Sequence, residues 1–164
     1  MHGIETPIGP LLLSAEGGRL SGVSFADSPH ARSSDPVLLE AEAQLHDYFA
    51  GRLQRFELPL APRGTDFQLS VWQALLELPY GSTSTYSKLA AVIGRPSACR
   101  AVGAANGRNP LAVIVPCHRV IGASGELTGY GGGLERKRVL LALEAGKGRE
   151  SQHGREEPAV GATV

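Results

Sequence analysis

A break at Pro62-Arg63-Gly64, followed at once by Thr65-Asp66-Phe67-Gln68, splits the chain into two differently patterned parts. Thr and Gln three positions apart, heading an apolar-periodic stretch, form a capping box. Each side chain can satisfy a backbone N–H that a first helical turn leaves free. A helix therefore starts at this point, and Phe67, Val71, Trp72, Leu75 and Leu76 line one face of it. Before the break the pattern is strands and one helix; after it come short helices punctuated by Pro and Gly. A chain of 164 residues has room for two small lobes. We place them at residues 1–62 and 63–146, leaving 147–164 as a tail without aromatic residues that is expected to be disordered.

In the first part, residues 11–15 and 19–25 are apolar-rich runs joined by Gly17-Gly18, a pair that supplies the positive φ of a tight hairpin turn. Pro36 opens a stretch in which Val37, Leu38, Ala41, Leu45, Tyr48 and Phe49 recur at helical spacing, and Gly51 is placed to stop it. Residues 54–60 read as a further strand, which completes a small α/β lobe.

In the second part, Pro79-Tyr80-Gly81 ends the capped helix. A short helix over about 86–93 is broken by Gly94, and Pro96, acceptable in a first helical turn, opens another over about 97–106. Two short helices about a tight Gly-containing turn are the pattern of a helix-turn-helix. The apolar run 111–115 leads into Pro116-Cys117-His118-Arg119, a Gly-rich loop follows, and a last helix covers 134–145.

Sixteen basic and sixteen acidic residues cancel, which on average argues against a polyanionic partner. Their distribution argues the other way. Residues 1–77 hold ten acids and five bases, whereas 78–125 hold no acid against Lys88, Arg95, Arg100, Arg108 and Arg119. An acid-free block that also carries a helix-turn-helix pattern suits a phosphate-binding surface. No stretch approaches the roughly 20 apolar residues of a membrane span. The N-terminus also lacks a basic region followed by an apolar one, so no membrane contact and a cytoplasmic location are expected. Cys99 and Cys117 are the only cysteines and form no metal-spaced pair, so neither a disulfide framework nor a metal site is expected.

A cysteine after Leu-Ala-Val-Ile-Val-Pro is, taken alone, most often a small buried hydrophobe. His118 and Arg119 change that reading, because a thiol reacts as thiolate, and an imidazole and cationic groups favour that form. In an extended segment adjacent side chains diverge. A bridging water would then let His118 act as base on Cys117.

The stretch from Asn109-Pro110 through Pro116-Cys117-His118-Arg119-Val120-Ile121-Gly122 closely resembles the active-site signature of the O6-alkylguanine-DNA alkyltransferases. The resemblance continues upstream through Phe67 to Trp72, Pro79-Tyr80-Gly81, Thr85-Tyr86 and Cys99-Arg100-Ala101-Val102-Gly103, and downstream through Thr128-Gly129-Tyr130-Gly131-Gly132-Gly133-Leu134 to Glu144. It implies a ribonuclease-H-like N-terminal α/β lobe beside a mainly helical C-terminal lobe. It also implies a protein that takes an alkyl group from O6-alkylguanine in DNA irreversibly onto its own cysteine, with O4-alkylthymine as a second candidate substrate. The family needs no cofactor. By the same resemblance Cys117 is the acceptor, His118 the base acting through water, Glu144 the carboxylate orienting the imidazole, and Asn109 the brace of the active-site turn. Tyr130 would donate a proton to the departing guanine, while the backbone around Cys117, Val120 and Gly131 would read the base edge.

An acceptor buried in a pocket requires the damaged base to leave the duplex. The resemblance assigns Tyr86 to push on the adjoining phosphate and Arg100 to fill the vacated stack. Ala98, Cys99, Ala101 and Gly103 belong to a recognition helix of small residues, which fits close approach to a minor groove better than major-groove readout. The expected partner is double-stranded DNA bound by a monomer. The sequence departs from the family in two places: Cys99 stands where a small residue is usual, and Gly131 lacks the side chain some members carry. Two other readings remain open, a DNA-binding module or regulator that does not react and a cysteine hydrolase. The acceptor cysteine itself weighs against the first, and an imidazole directly following the nucleophile weighs against the second. Gly129 to Gly133 lacks the lysine and hydroxyl of a phosphate-binding loop.

Overall fold

The computed structural model describes residues 1–146, so the expectation for the 147–164 tail lies outside the described residues. Three antiparallel strands, β1 (His2–Ile4), β2 (Leu11–Glu16) and β3 (Arg19–Phe25), form a sheet in that order. The β2–β3 turn places Gly17 at φ 58° and Gly18 at φ 77°. Two successive left-handed residues give the hairpin turn whose twist matches its strands. Leu11 and Leu13 of β2, with Leu20 and Val23 of β3, turn inward. Helix α1 (Pro36–Phe49) covers them with Leu38, Ala41, Leu45 and Tyr48. Asp35 caps this helix by accepting from the Val37 amide, and Pro36 sits where its missing N–H costs nothing.

Residues 54–60 do not form the expected strand. Phe56, Leu58 and Leu60 alternate inward as a strand's residues would, but Pro59 offers no N–H to a ladder. The Gln44 side chain replaces a neighbouring strand by donating to the Glu57 carbonyl at 3.1 Å and accepting from its amide at 2.9 Å. Only an isolated bridge from Leu60 to Leu20 remains.

The capping box of Thr65 and Gln68 opens α2 (Asp66–Leu76), with mutual bonds of 3.0 and 3.1 Å. Its buried Trp72 donates the indole N–H to the Ala105 carbonyl at 2.9 Å. That bond ties α2 to the second of two short helices, α3 (Tyr86–Val92) and α4 (Cys99–Gly107). Gly94, at φ 78°, turns the chain between them. A two-residue parallel pair, β4 (Ser84–Thr85) with β5 (Val120–Ile121), and a last helix α5 (Leu134–Glu144) complete the lobe.

The apolar run 111–115 is wholly buried and forms a tight turn. Ile114 donates to the Ala112 carbonyl at 2.8 Å and Val115 to the Leu111 carbonyl at 2.9 Å. Val113 is held at φ 71°, a conformation costly for a β-branched residue. The turn hangs on β3, since Val23 N–H reaches the Pro110 carbonyl and Ala112 N–H the Val23 carbonyl. The N-terminal sheet thereby fixes the segment that delivers Cys117.

Candidate active site and nucleic-acid surface

Residues Cys117–Arg119 form one turn of 3₁₀ helix, not the extended segment expected. Neighbouring side chains still diverge, because each residue of a 3₁₀ helix rotates a third of a turn. Cys117 points toward a cleft of about 150 Å³ lined by Phe25, Asn109, Ala112, Tyr130 and Gly131 among others. His118 points inward and is fully buried.

Asn109 holds the thiol. Its Nδ2 donates to Cys117 Sγ at 3.1 Å and to the Val115 carbonyl at 2.8 Å, while Oδ1 accepts from the Leu111 amide at 2.9 Å. Burial pushes the Cys117 thiol above its ordinary value, opposed by the Asn109 N–H and by the positive charge of Lys137. Asn106 braces the same turn from α4, donating to the Cys117 carbonyl at 3.4 Å.

Behind the thiol, His118 Nε2 lies 2.7 Å from Glu144 Oε2, and Arg119 adds two charge-assisted bonds to the same carboxylate at 2.7 and 2.9 Å. Burial alone would raise the Glu144 carboxyl, but His118 and Arg119 overcome it and hold the group well below the usual carboxylate range. Burial lowers His118 against the pull of Glu144, and Arg119 also disfavours a second cation there. The pair is therefore a neutral imidazole on an ionised carboxylate. An anionic partner makes Nε2 the donor nitrogen, so Nδ1 presents the free lone pair. Nδ1 is buried and meets no partner among the described residues.

Tyr130 has a buried hydroxyl that likewise meets no partner there. Burial, then the nearby Cys117, push this phenol far above its ordinary value, so it remains a proton donor. Tyr130 also lines a second cleft of about 490 Å³, shared with Tyr86, Cys99, Arg100, Gly103 and Gly131. Gly107, Gly129, Tyr130 and Gly131 border both clefts, so the thiol pocket adjoins the cleft along α3 and α4. Arg100 and Cys99 are exposed on the first turn of α4, Ala101 is exposed beside them, and Ala98 is the half-buried N-cap. The Tyr86 ring packs near Gly103, and its hydroxyl lies 3.4 Å from the Thr128 carbonyl.

Val120 does not join this wall. It is fully buried in β5, and its carbonyl is taken by Lys137 Nζ at 2.6 Å. Sequence reasoning missed Lys137 and Tyr48 as neighbours of the site, and it read Arg119 as a cation acting on the thiol when it binds Glu144. Lys137 also binds the Thr128 carbonyl at 2.6 Å, and Tyr48 donates to Glu144 Oε2 at 2.5 Å. Among the described residues no group of three His, Cys, Asp or Glu side chains could hold a metal ion, and no helix is long and apolar enough to cross a membrane.

Comparison with known proteins gives the same picture over most of the chain. Residues 2–62 match the family model of the 6-O-methylguanine DNA methyltransferase, ribonuclease-like domain, and residues 66–146 match its DNA binding domain. The methylated-DNA–protein-cysteine methyltransferase of Mycobacterium tuberculosis is 54% identical over 147 residues, covering 86% of this chain and 89% of its own. The protein of that name from Methanosarcina barkeri is 52% identical over 149 residues, covering 86% and 94%. The crystal structure of Mycobacterium tuberculosis OGT in complex with DNA superposes with a TM-score of 0.80 at 53% identity, covering 87% of this chain and 91% of that one. Motif, fold and comparison agree: the chain belongs to the methylated-DNA–protein-cysteine methyltransferases, the family that repairs alkylated DNA by moving the alkyl group to a cysteine of its own.

Proposed function

We propose that this protein binds duplex DNA through α3 and α4, receives an extruded O6-alkylguanine in the cleft beside Tyr130, and transfers the alkyl group to Cys117 Sγ. The observation that carries this reading is the Asn109-held thiol in a pocket that shares its wall with the cleft on the α4 surface.

The thiol proton passes through one water to His118 Nδ1, which Glu144 orients from the far side of the ring. The thiolate attacks the alkyl carbon, so a C–S bond forms as the C–O6 bond breaks. The guanine oxygen leaves with the electron pair, and the Tyr130 phenol supplies a proton to the departing base. A thioether has no carbonyl for water to attack, so Cys117 stays alkylated and each chain acts once. No step calls for a cofactor.

The small residues of α4 favour the minor groove, where Arg100 serves as the inserted side chain and Tyr86 presses on the adjoining phosphate. Cleft and helix pair belong to one chain, so a monomer suffices. A free, buried thiol nucleophile fits the reducing cytoplasm.

Incubation with duplex oligonucleotides bearing O6-methylguanine or O4-methylthymine, followed by intact-mass measurement and peptide mapping, tests the assignment. One methyl per chain on the Cys117 peptide is expected with the guanine lesion, and none with Cys117→Ala. Sustained turnover, or methylation confined to Cys99, would overturn it.

A further inference from the structure

Glu144 is held from both lobes. Its Oε1 accepts from Arg119 Nε at 2.7 Å, and its Oε2 receives Arg119 Nη2 at 2.9 Å, His118 Nε2 at 2.7 Å and the Tyr48 hydroxyl at 2.5 Å. Tyr48 lies on α1, 96 positions earlier in the chain, and is fully buried. Its ring packs edge-on to Phe49 and Tyr80, which phenylalanine would do as well. The hydroxyl donates to the same carboxylate oxygen that faces the imidazole.

We propose that Tyr48 is a positioning residue for alkyl transfer, its hydroxyl setting how strongly Glu144 holds His118 and so bringing the N-terminal lobe into the proton-transfer step. This rests on the reading of His118 as the base for Cys117. A donor on Oε2 draws electron density from that oxygen and weakens its attraction for a charged imidazole. Burial together with Glu144 keeps the phenol protonated, so it donates throughout the working range. The charged and titratable groups around the pair are Tyr48 from α1, Cys117 and Arg119 from the 3₁₀ turn, Lys137 from α5, and Tyr80 and Tyr130 from the loops. Arg119 and Lys137 oppose protonation of His118, while Glu144 favours it. Without the Tyr48 hydroxyl Glu144 becomes the stronger partner, and His118 takes up a proton at higher pH.

Single-turnover alkyl transfer measured across the acid range is the test. In Tyr48→Phe the acid limb should move upward by roughly one pH unit. Incorporation of 3-fluorotyrosine at position 48, a stronger donor of nearly unchanged volume, should move it downward, and it serves if the Phe variant does not fold. Adding Tyr48→Phe to Glu144→Gln should produce no further shift, because the hydroxyl acts through the carboxylate. A rate lowered equally at every pH would reduce Tyr48 to a packing residue and overturn the proposal. A limb moved by Glu144→Gln but not by either change at position 48 would refute Tyr48 alone. A limb that even Glu144→Gln leaves in place would refute His118 as the base.

Discussion

Asn109 donates to the Cys117 sulfur at 3.1 Å while the same side chain bonds both ends of the turn that carries Val113 at φ 71°. The residue that supports a strained backbone is thus also the nearest polar contact of the nucleophile. Asn109→Ala should therefore do two separable things. Loss of bonds to buried backbone groups should destabilise the fold by about 2 kcal/mol, read from urea unfolding. Loss of the N–H on sulfur should move Cys117 ionisation further above its ordinary value, read from the pH dependence of iodoacetamide labelling in a Cys99→Ser background. An unchanged labelling profile would mean that Asn109 serves the backbone only.

The buried pair of His118 and Glu144 ties stability to pH with a definite sign. His118 is lowered in the folded protein, so below its unfolded value of about 6.5 the unfolded chain binds a proton that the native state refuses. Glu144 is also lowered, and repeats this below its unfolded value of about 4.3. Stability conferred by both groups is complete above about pH 6.5 and declines as the pH falls, each group adding up to about 1.4 kcal/mol per pH unit. Urea midpoints at mildly acidic and neutral pH should show this fall, and His118→Gln should flatten its upper part even though the variant is less stable at neutral pH. A wild-type midpoint that rises on acidification would contradict the neutral-imidazole assignment.

The parts of the fold legible in the sequence are those fixed by neighbours in the chain. The Gly17-Gly18 hairpin, the Thr65 capping box and the Gly94 break all depend on residues within a turn of one another. The 54–60 segment carried the right alternation, yet strand pairing needs a partner and a free N–H, and Gln44 together with Pro59 decided otherwise. Strands β1, β4 and β5 are two or three residues long, too short for a periodic signal. In the site, Cys117, His118 and Asn109 stand close together in sequence. Tyr48 looked like any core aromatic of an amphipathic helix, and Lys137 sits in Glu-Arg-Lys-Arg, a run that reads as solvated until α5 is packed and its Nζ meets two carbonyls.

DNA binding should weaken as salt is added despite the zero net charge of the chain. The acid-free block from 78 to 125 sets the local field, but Arg119 is spent inside on Glu144 and the Leu78 carbonyl. Four basic residues of the block then remain for phosphates: Lys88, Arg95, Arg100 and Arg108, all exposed. Each phosphate neutralised contributes nearly one unit to the slope of log affinity against log salt, so the slope should not exceed about four. Titration of a fluorescent duplex at several salt concentrations measures it, and a slope near zero would remove this face as the binding surface.

Arg100 is exposed on the first turn of α4 and borders the cleft that Tyr130 shares with the thiol pocket. An extruded nucleotide leaves a gap in the base stack, and closing that gap recovers part of an unstacking cost of a few kcal/mol. A planar cation can do this by stacking on the neighbouring bases. Arg100→Ala should then slow alkyl transfer from duplex DNA about tenfold or more, the equivalent of at least about 1.4 kcal/mol in the barrier. A free O6-benzylguanine base needs no extrusion, so its reaction with the same variant should stay close to wild type, whereas Cys117→Ser should abolish both reactions. Because Arg100 is exposed, its truncation should leave the fold intact, and single-turnover rates on the two substrates separate the remaining explanations. Loss confined to duplex DNA supports the wedge. Equal loss on both substrates would mean that Arg100 shapes the pocket it borders, and the recovery of stacking energy would have to come from another residue of α4.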